Sequence, residues 1–238
     1  MPKFSKISDI NIEDDNSWRE TLFLTFDLDW CSDEVLSYTL DIIEKSDIKA
    51  TFFVTHNTKL LDRMRANENI ELGIHPNFNF LLNGDFRQGG NIGEVVAFYK
   101  KIVPEAISVR SHALTQGSII LDTFEEMGLI YDCNTLFPLI GGVLNPYRYS
   151  RELIRVPHIF EDDVQEQYDK SWDINRYIEY KGIKVFDFHP IHIFLNSRSL
   201  DRYELVRPDF HNIELLNRYR NRDSYGSENF LRDLINKI

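Results

Sequence analysis

The stretch LFLTFDLDW at residues 22–30 decides how the rest of the chain is organised. Its first five residues are apolar or β-branched and lie between polar segments, so they predict a buried β-strand. Two carboxylates, Asp27 and Asp29, follow at the carboxyl end of this strand, two residues apart, and would point to the same side of an extended segment. Parallel α/β proteins build their active sites at this end of their strands. The pair therefore predicts a site; the alternative is a turn with a helix cap, because Ser32 and Asp33 follow directly.

Composition and charge limit the classes of protein to consider. A chain of 238 residues that is 42% hydrophobic can bury the core of one large domain. The net charge of -11 argues against a nucleic-acid polymer or an anionic membrane surface as the partner. The chain starts without the apolar segment of a signal peptide, and no run approaches the roughly 20 apolar residues of a membrane span. We expect a cytoplasmic protein without an integral membrane segment, in which Cys31 and Cys133 are reduced thiols.

Strand and helix patterns alternate along the chain, which predicts a mostly parallel sheet. Residues 1–20 are polar and acidic and are expected to form a loosely held arm. Residues 136–150 carry enough Pro and Gly to predict a long loop. Further strands are predicted at 49–55, 70–75, 106–110, 129–131, 153–158 and 183–189. Helices are predicted from 33 to about 43, at 92–102, 118–127 and 172–180, and once or twice beyond 213.

The ends of these predicted strands share a chemical feature. One strand ends at His75, another leads into Arg110 and His112, and the last ends at His189. A single histidine at a strand end is more often structural than functional. Several strands that each deliver Asp, Arg or His to one edge of a parallel sheet predict a polar, metal-centred site.

The order and content of these segments resemble a known family. The segments TFDLD at 25–29, HPNFN at 75–79, Arg110 and the pair FH at 188–189 are similar to the motifs of NodB-type polysaccharide deacetylases, carbohydrate esterase family 4. The WbmS-like branch, linked to bacterial O-antigen loci, is the most similar. The resemblance runs from about residue 21 to residue 194. It implies a distorted (β/α)7-type barrel of mostly parallel strands in a single domain, residues 21–238 including C-terminal helices, preceded by the arm at 1–20.

The resemblance also implies catalytic roles. Asp27 corresponds to the catalytic base, Arg110 to the arginine that steadies the base, and His189 to the acid. A carboxylate beside an arginine stays ionised and can accept a proton from water, and a histidine can protonate a departing amine. The aspartate that orients His189 is not identified by sequence; Asp162, Asp163 and Asp173 are candidates.

For the metal, the resemblance implies Asp29 and His75 as ligands, with Asn79 where the family has a second histidine. An amide oxygen is a weaker ligand than imidazole, so His112 is either a neighbouring group or a replacement ligand. His192 is a further neighbour or alternative ligand, although a loop role is favoured. The expected ion is Zn²⁺, with Co²⁺, Ni²⁺ or Mn²⁺ as alternatives; it polarises the amide carbonyl and activates water.

Function follows from the resemblance as an expectation. It implies a metal-dependent hydrolase of non-peptide C–N bonds that removes N-acetyl groups from an acetamido sugar, nucleotide- or lipid-linked, in surface polysaccharide (O-antigen) biosynthesis. Trp30 could stack on the sugar. One alternative is hydrolysis of another C–N bond, such as a formamide or cyclic amide. Another is a non-catalytic carbohydrate-binding relative that has lost its metal, which the asparagine at position 79 would reflect.

Overall fold

A curled, mostly parallel sheet forms the centre of the molecule in the computed structural model, which describes residues 3–139, 141–168 and 171–237. The described residues form ten strands: β1 (Lys3–Ser5), β2 (Thr21–Asp27), β3 (Ala50–Val54), β4 (Ile70–Ile74), β5 (Ser108–Val109), β6 (Tyr131–Asp132), β7 (Tyr147–Arg148), β8 (Ile154–Arg155), β9 (Phe160–Glu161) and β10 (Lys184–Phe188). Nine of them follow the order β7-β8-β6-β5-β4-β3-β2-β10-β9 across the sheet, and β1 pairs with β2 beside this path. Among the described strands, only the β7–β8 pair is antiparallel.

Helices connect and cover these strands. In the described residues they are α1 (Asp33–Lys45), α2 (Leu61–Ala66), α3 (Asn79–Leu82), α4 (Ile92–Ile102), α5 (Ser118–Glu126), α6 (Gln165–Tyr168), α7 (Ile174–Ile178), α8 (Pro190–Leu195), α9 (Asp201–Val206), α10 (Ile213–Tyr219) and α11 (Ser227–Asn236). Within the described residues, no helix is both long and apolar enough to cross a bilayer.

The path of the chain reverses its direction across the sheet at β2. From β2 the chain moves outward through β3, β4, β5, β6 and β8, whereas β10 and β9 lie on the other side of β2. Ligands of open α/β sheets bind at the carboxyl ends of the strands where such a reversal occurs. The predicted distorted α/β barrel is confirmed as a half-barrel, and its crevice is lined by residues at or after the carboxyl ends of β2, β4, β5, β9 and β10.

The N-terminal segment is packed more firmly than its composition suggests. β1 pairs with the first half of β2, and Ile7, Ile10 and Trp18 are buried in one cluster with strand residues such as Phe23 and Val185. These few apolar side chains among many acidic ones cover the face of the sheet that would otherwise meet water. The expectation of a loosely held arm was therefore wrong in this respect.

The turn after β2 distinguishes between the two interpretations of the aspartate pair. Ser32, not either aspartate, caps α1: its side chain accepts a hydrogen bond from the Val35 amide at 3.4 Å. Asp27 and Asp29 are therefore left available for the crevice. Cys31 and Cys133 are both buried and free.

Candidate active site

The first wall of the site is the row of β2 side chains that face the inside of the half-barrel. Phe23, Thr25 and Asp27 alternate along the strand and so face one side, with Asp27 only 3% exposed at its end. The chain then turns sharply, because Asp29 and Trp30 have φ values of 39° and 56°. Non-glycine residues adopt this left-handed region rarely. The turn brings the Asp29 carboxylate to the ends of the neighbouring strands, where it meets two histidines.

Arg110 is the buried centre of the polar network under the crevice. Its Nη1 donates to Thr25 Oγ1 at 2.9 Å and to Asp27 Oδ1 at 3.0 Å, and it also contacts Asp187 Oδ1. The guanidinium lies over the ring of Phe53, 4.7 Å from its centroid. Arg110 therefore fixes one oxygen of Asp27 and leaves the other, Oδ2, 3.4 Å from Nδ1 of His75. Sequence reasoning missed Asp187, although it directly precedes the FH motif at 188–189.

Asp29, His75 and His112 form the clearest candidate metal centre. Asp29 Oδ1 lies 3.2 Å from His75 Nε2 and 3.3 Å from His112 Nδ1, and one ligand atom from each residue lies within 4.8 Å of the others. Tetrahedral zinc with ligands at about 2.0–2.2 Å separates its donor atoms by roughly 3.3–3.5 Å. Both ring nitrogens of His75 are buried and lack a hydrogen-bond partner among the described residues. The donor set therefore fits a divalent cation.

The charge state of Asp29 suits this role. Burial alone would raise its pKa, but the imidazoles of His112 and His75 beside it outweigh burial and hold the pKa well below its usual range. Asp29 is therefore ionised at neutral pH, which is the form in which a carboxylate binds a cation.

The predicted ligand Asn79 lies elsewhere. It is the first residue of α3, and its backbone amide donates to the side chain of Asn77 at 3.0 Å. Among the described residues, those lining the crevice include His112 but not Asn79. The assignment of Asn79 as a ligand remains a prediction without support from this geometry, which favours the alternative ligand His112.

His189 lies directly after β10, and its Nε2 is 3.8 Å from Asp29 Oδ2. Its Nδ1 lies 2.8 Å from Asp162 Oδ1, and its backbone amide also donates to Asp162. Burial alone would lower the pKa of His189, but the carboxylates of Asp163 and Asp162 raise it well above the usual value. Asp162 is thus the partner of His189; Asp173 caps α7 instead, by accepting from the Asn175 amide.

Two further predicted residues lie around this centre. The ring of Trp30 packs edge-on against His112, with 5.0 Å between centroids. His192 is buried, its Nδ1 lies 2.6 Å from Ser197 Oγ, and its ring is edge-on to His189. Burial lowers the pKa of His192 to about 4, so His192 is a neutral neighbour of His189. His192 belongs to none of the candidate metal groups found among the described residues.

The crevice itself is small and strongly acidic. Its volume is about 140 Å³, and only Ala113 and Leu114 among its lining residues are apolar. The lining consists of Asp27, Asp29, His75, Ser111, His112, Ala113, Leu114, Glu161, Asp163 and His189. A larger cavity of about 580 Å³ lies between α1, α8 and α10, but none of the candidate metal groups found in the described part of the chain lines it. The chemistry therefore belongs to the smaller crevice.

Comparison with known proteins identifies the class of protein. The model of the WbmS-like polysaccharide deacetylase family matches residues 24–207, most of the chain. The chain belongs to this family, and the resemblance to NodB-type deacetylases is thereby confirmed. No match was found among curated proteins.

Solved structures include one very similar relative. It comes from Bordetella bronchiseptica, is described as a candidate polysaccharide deacetylase (WbmS) involved in O-antigen biosynthesis, and is 46% identical over 99% of this chain and 98% of its own, with a TM-score of 0.92. A candidate polysaccharide deacetylase from Mycobacterium smegmatis is 14% identical over 76% of this chain and 80% of its own, with a TM-score of 0.49. A family 4 pseudoenzyme from Bacillus anthracis is 15% identical over 71% of this chain and 54% of its own, with a TM-score of 0.40.

Proposed function

We propose that this protein is a metal-dependent hydrolase that removes the N-acetyl group from an acetamido sugar. One observation carries the proposal. Asp27 and His189 line the same 140 Å³ crevice as the donor group of Asp29, His75 and His112. A base, an acid and a cation site around one small crevice are the parts that amide hydrolysis requires.

Asp29, His75 and His112 would hold the cation in this proposal. Zn²⁺ suits one carboxylate and two imidazoles, and Co²⁺, Ni²⁺ or Mn²⁺ are the alternatives. The bound ion would supply Lewis-acid polarisation of the amide carbonyl and a water of lowered pKa.

Asp27 would act as the general base. Arg110 holds its Oδ1, which leaves Oδ2 to accept the proton of the attacking water.

His189 would act as the general acid. The departing amine must gain a proton, and an imidazolium in the crevice can donate one from Nε2. Asp162 at Nδ1 fixes the orientation of the ring and favours the protonated form. Asp27 and His189 each have a buried partner of opposite charge, so each side chain is held in place for its proposed role.

The substrate class rests on the family and on the Bordetella relative. That relative is described as involved in O-antigen biosynthesis, so an acetamido sugar destined for surface polysaccharide is proposed here as well. A nucleotide- or lipid-linked sugar in the cytoplasm is the proposed form, and Trp30 beside His112 is a candidate for stacking on the ring.

A formamido sugar is the second candidate substrate. Apart from Ala113 and Leu114, the crevice offers polar walls, and a formyl group demands less apolar contact than an acetyl group. A non-catalytic carbohydrate-binding role is the remaining alternative, and it would not require the buried donor group.

Release of acetate or formate tests the proposal. The protein is stripped of metal with a chelator, reloaded with Zn²⁺, and incubated with a panel of acetamido and formamido sugars, free and nucleotide-linked. We expect acetate release from at least one acetamido sugar, lost on chelation and restored by zinc. Formate release alone would favour the second candidate. Binding of the sugars without release of either acid would contradict a hydrolase and favour the binding role.

A further inference from the structure

The carboxyl end of β3 lies between the two strands that lead to Asp29 and His75. On one side, the Phe53 carbonyl accepts a hydrogen bond from the Leu28 amide at 3.2 Å. On the other side, the Val54 carbonyl accepts from the His75 amide at 3.0 Å. The end of β3 therefore fixes the spacing between the points at which the two proposed metal ligands leave the sheet.

The turn after Leu28 is unfavourable by itself. The Cys31 amide donates to the Leu28 carbonyl at 2.9 Å, and the two residues between them, Asp29 and Trp30, both have positive φ values. Positive φ at both central positions is typical of a type I′ turn, in which glycine, asparagine and aspartate predominate. A tryptophan is strained in this conformation, which persists only where surrounding contacts impose it.

The side chain of Thr55, directly after β3, supplies such a contact. The Trp30 amide donates to Thr55 Oγ1 at 3.1 Å. Thr55 is buried, and its hydroxyl also lies 2.8 Å from His56 Nδ1. A hydroxyl has one hydrogen and two lone pairs, so it can donate to His56 while it accepts from Trp30. The Thr55 hydroxyl therefore ties the second half of the turn to the end of β3.

This tie bears on the direction of the Asp29 carboxylate. Both chain neighbours of Asp29 are held by the end of β3, Leu28 through Phe53 and Trp30 through Thr55. Without the second tie, the strained turn can relax out of the left-handed region, which swings the carboxylate away from the two imidazoles. Partners that fix the orientation of a metal ligand typically contribute about 10- to 100-fold to metal affinity.

We infer that Thr55 is a positioning residue for the metal centre, because it holds the Asp29 turn in the geometry that points the Asp29 carboxylate at His75 and His112. The inference rests on the metal centre of the proposed function and deepens it. Thr55 is not among the described residues that line the crevice, so it acts through Asp29 and not through contact with the ion or the substrate.

The zinc affinity of the full chain tests the inference without reference to turnover, by competition with a chromogenic chelator. Thr55→Val replaces the hydroxyl with a methyl group at nearly constant shape and should weaken zinc binding at least about tenfold. Thr55→Ser keeps the hydroxyl and should restore most of the affinity. Thr55→Ala, compared with Thr55→Ser, decides the question if the valine variant does not fold.

The matched control is Thr39→Val. Thr39 is also buried, but it lies in α1 and its Oγ1 has no hydrogen-bond partner among the described residues. The same exchange of hydroxyl for methyl should leave the zinc affinity near that of the parent. Thermal unfolding of the metal-free proteins shows whether each variant is folded.

A double-mutant cycle with Asp29→Ala identifies the route by which Thr55 acts. Residues that act through one another have non-additive effects. Thr55→Val should therefore have little further effect on zinc affinity once the Asp29 carboxylate is absent. A general loosening of the fold would instead weaken binding by a similar factor in both backgrounds.

The outcomes are distinct from those of the acetate-release experiment. The inference is overturned by undiminished affinity in folded hydroxyl-free variants, by an equal loss in Thr55→Ser, by an equal loss without Asp29, or by a parent that binds no zinc. Zinc affinity that depends on the Thr55 hydroxyl in a protein that releases no acetate supports the inference while the proposed activity fails. Acetate release with a zinc affinity indifferent to Thr55 has the opposite meaning.

Discussion

At the scale of single residues, the proposed base and the proposed acid have different buried partners. Asp27 is tied to Arg110, whereas His189 is tied to Asp162. Each pair buries a charged group beside a partner of opposite charge, which holds the side chain in place. The assignment makes a direct prediction about Asp27.

Asp27→Asn should abolish most turnover and leave the fold intact. The change preserves shape but removes the proton acceptor, and general-base catalysis typically contributes about 10²–10⁴-fold. Steady-state kinetics and thermal unfolding would measure the two effects. Asp173→Asn is the matched control, since asparagine also caps helices well and Asp173 lies at the start of α7. Turnover of Asp27→Asn within a few-fold of the parent would show that Asp27 is structural.

His112 and Asn79 make opposite predictions for metal affinity. If His112 is the third ligand, His112→Ala should weaken zinc binding by at least about 100-fold, more than the loss of an outer partner costs. Asn79→His should then change the affinity little, because position 79 lies away from the crevice lining. Competition with a chromogenic chelator measures both. Tighter binding by Asn79→His, together with an unaffected His112→Ala, would restore the original assignment of Asn79.

Sequence reasoning found most of these side chains because strand ends in a parallel sheet converge. It could not rank His112 above Asn79, since the position of His112 depends on the loop after β5, where Ala113 and Leu114 have φ values of 54° and 50°. It missed Asp187 because the contact with Arg110 joins residues 77 positions apart. The sequence could not single out Asp162 from three candidates, because the distance between Asp162 and His189 depends on the two-residue strand β9.

At the scale of elements, long periodic or apolar segments could be predicted and short ones could not. The helix predicted at 92–102 matches α4, and the apolar strands at β2, β3, β4 and β10 were located to within about two residues. α8 was missed because Pro190 precedes a run whose residues are all buried, so there is no amphipathic period to detect. β7, which was expected to be loop, and β9 have two residues each and depend on pairing with their neighbours.

Close packing between β3 and β4 makes Gly73→Ala informative. An added Cβ would lie 2.6 Å from Phe53 Cδ1 and from Ser108 Oγ. Because Phe53 lies beneath the Arg110 guanidinium, the substitution should displace the Phe53 ring and, with it, the guanidinium. We expect a loss of about 1–3 kcal/mol in the free energy of unfolding and reduced kcat/KM. Urea denaturation and kinetics test this.

The control for that substitution is Gly141→Ala, whose new Cβ would meet nothing within 4 Å. It should leave stability and activity near those of the parent. Equal effects of the two substitutions would contradict the packing argument.

The contact of α11 with α1 should depend on pH. Glu228 in the first turn of α11 lies 2.5 Å from Tyr38 Oη and 2.6 Å from Arg220 Nη2. Burial alone would raise the pKa of Glu228, but Tyr38, Arg232 and Arg220 lower it below its usual value. A lowered carboxyl pKa gives stability that is present above the unfolded pKa of about 4.3 and lost as the pH falls through the folded value.

Glu228→Gln should therefore reduce the free energy of unfolding by about 1–2 kcal/mol at pH 7. The difference from the parent should shrink below about pH 4, which denaturant titrations across pH would measure. Glu204→Gln, in an exposed pair with Arg207, is the control and should have little effect. A difference that stays constant down to pH 3 would contradict the ionic origin.

At the scale of the whole molecule, the order of the strands in the sheet determines where the site lies. The chain reverses across the sheet between β2 and β10, and the residues that follow these two strands supply Asp29 and His189. The N-terminal segment covers the inner face below them through Ile7, Ile10 and Trp18. Strand alternation predicted the parallel sheet, but the burial of this segment could not be predicted, because its apolar residues are few and lack a period.

The central claim is that Asp29, His75 and His112 hold the metal of a deacetylase. A crystal structure of the zinc-loaded protein, with the ion located by anomalous scattering, tests it most directly. The account predicts one zinc ion with Asp29 Oδ1, His75 Nε2 and His112 Nδ1 at about 2.0–2.2 Å, beside Asp27 and His189. Zinc bound through Asn79 without His112, or no zinc in this crevice at saturating concentration, would contradict it.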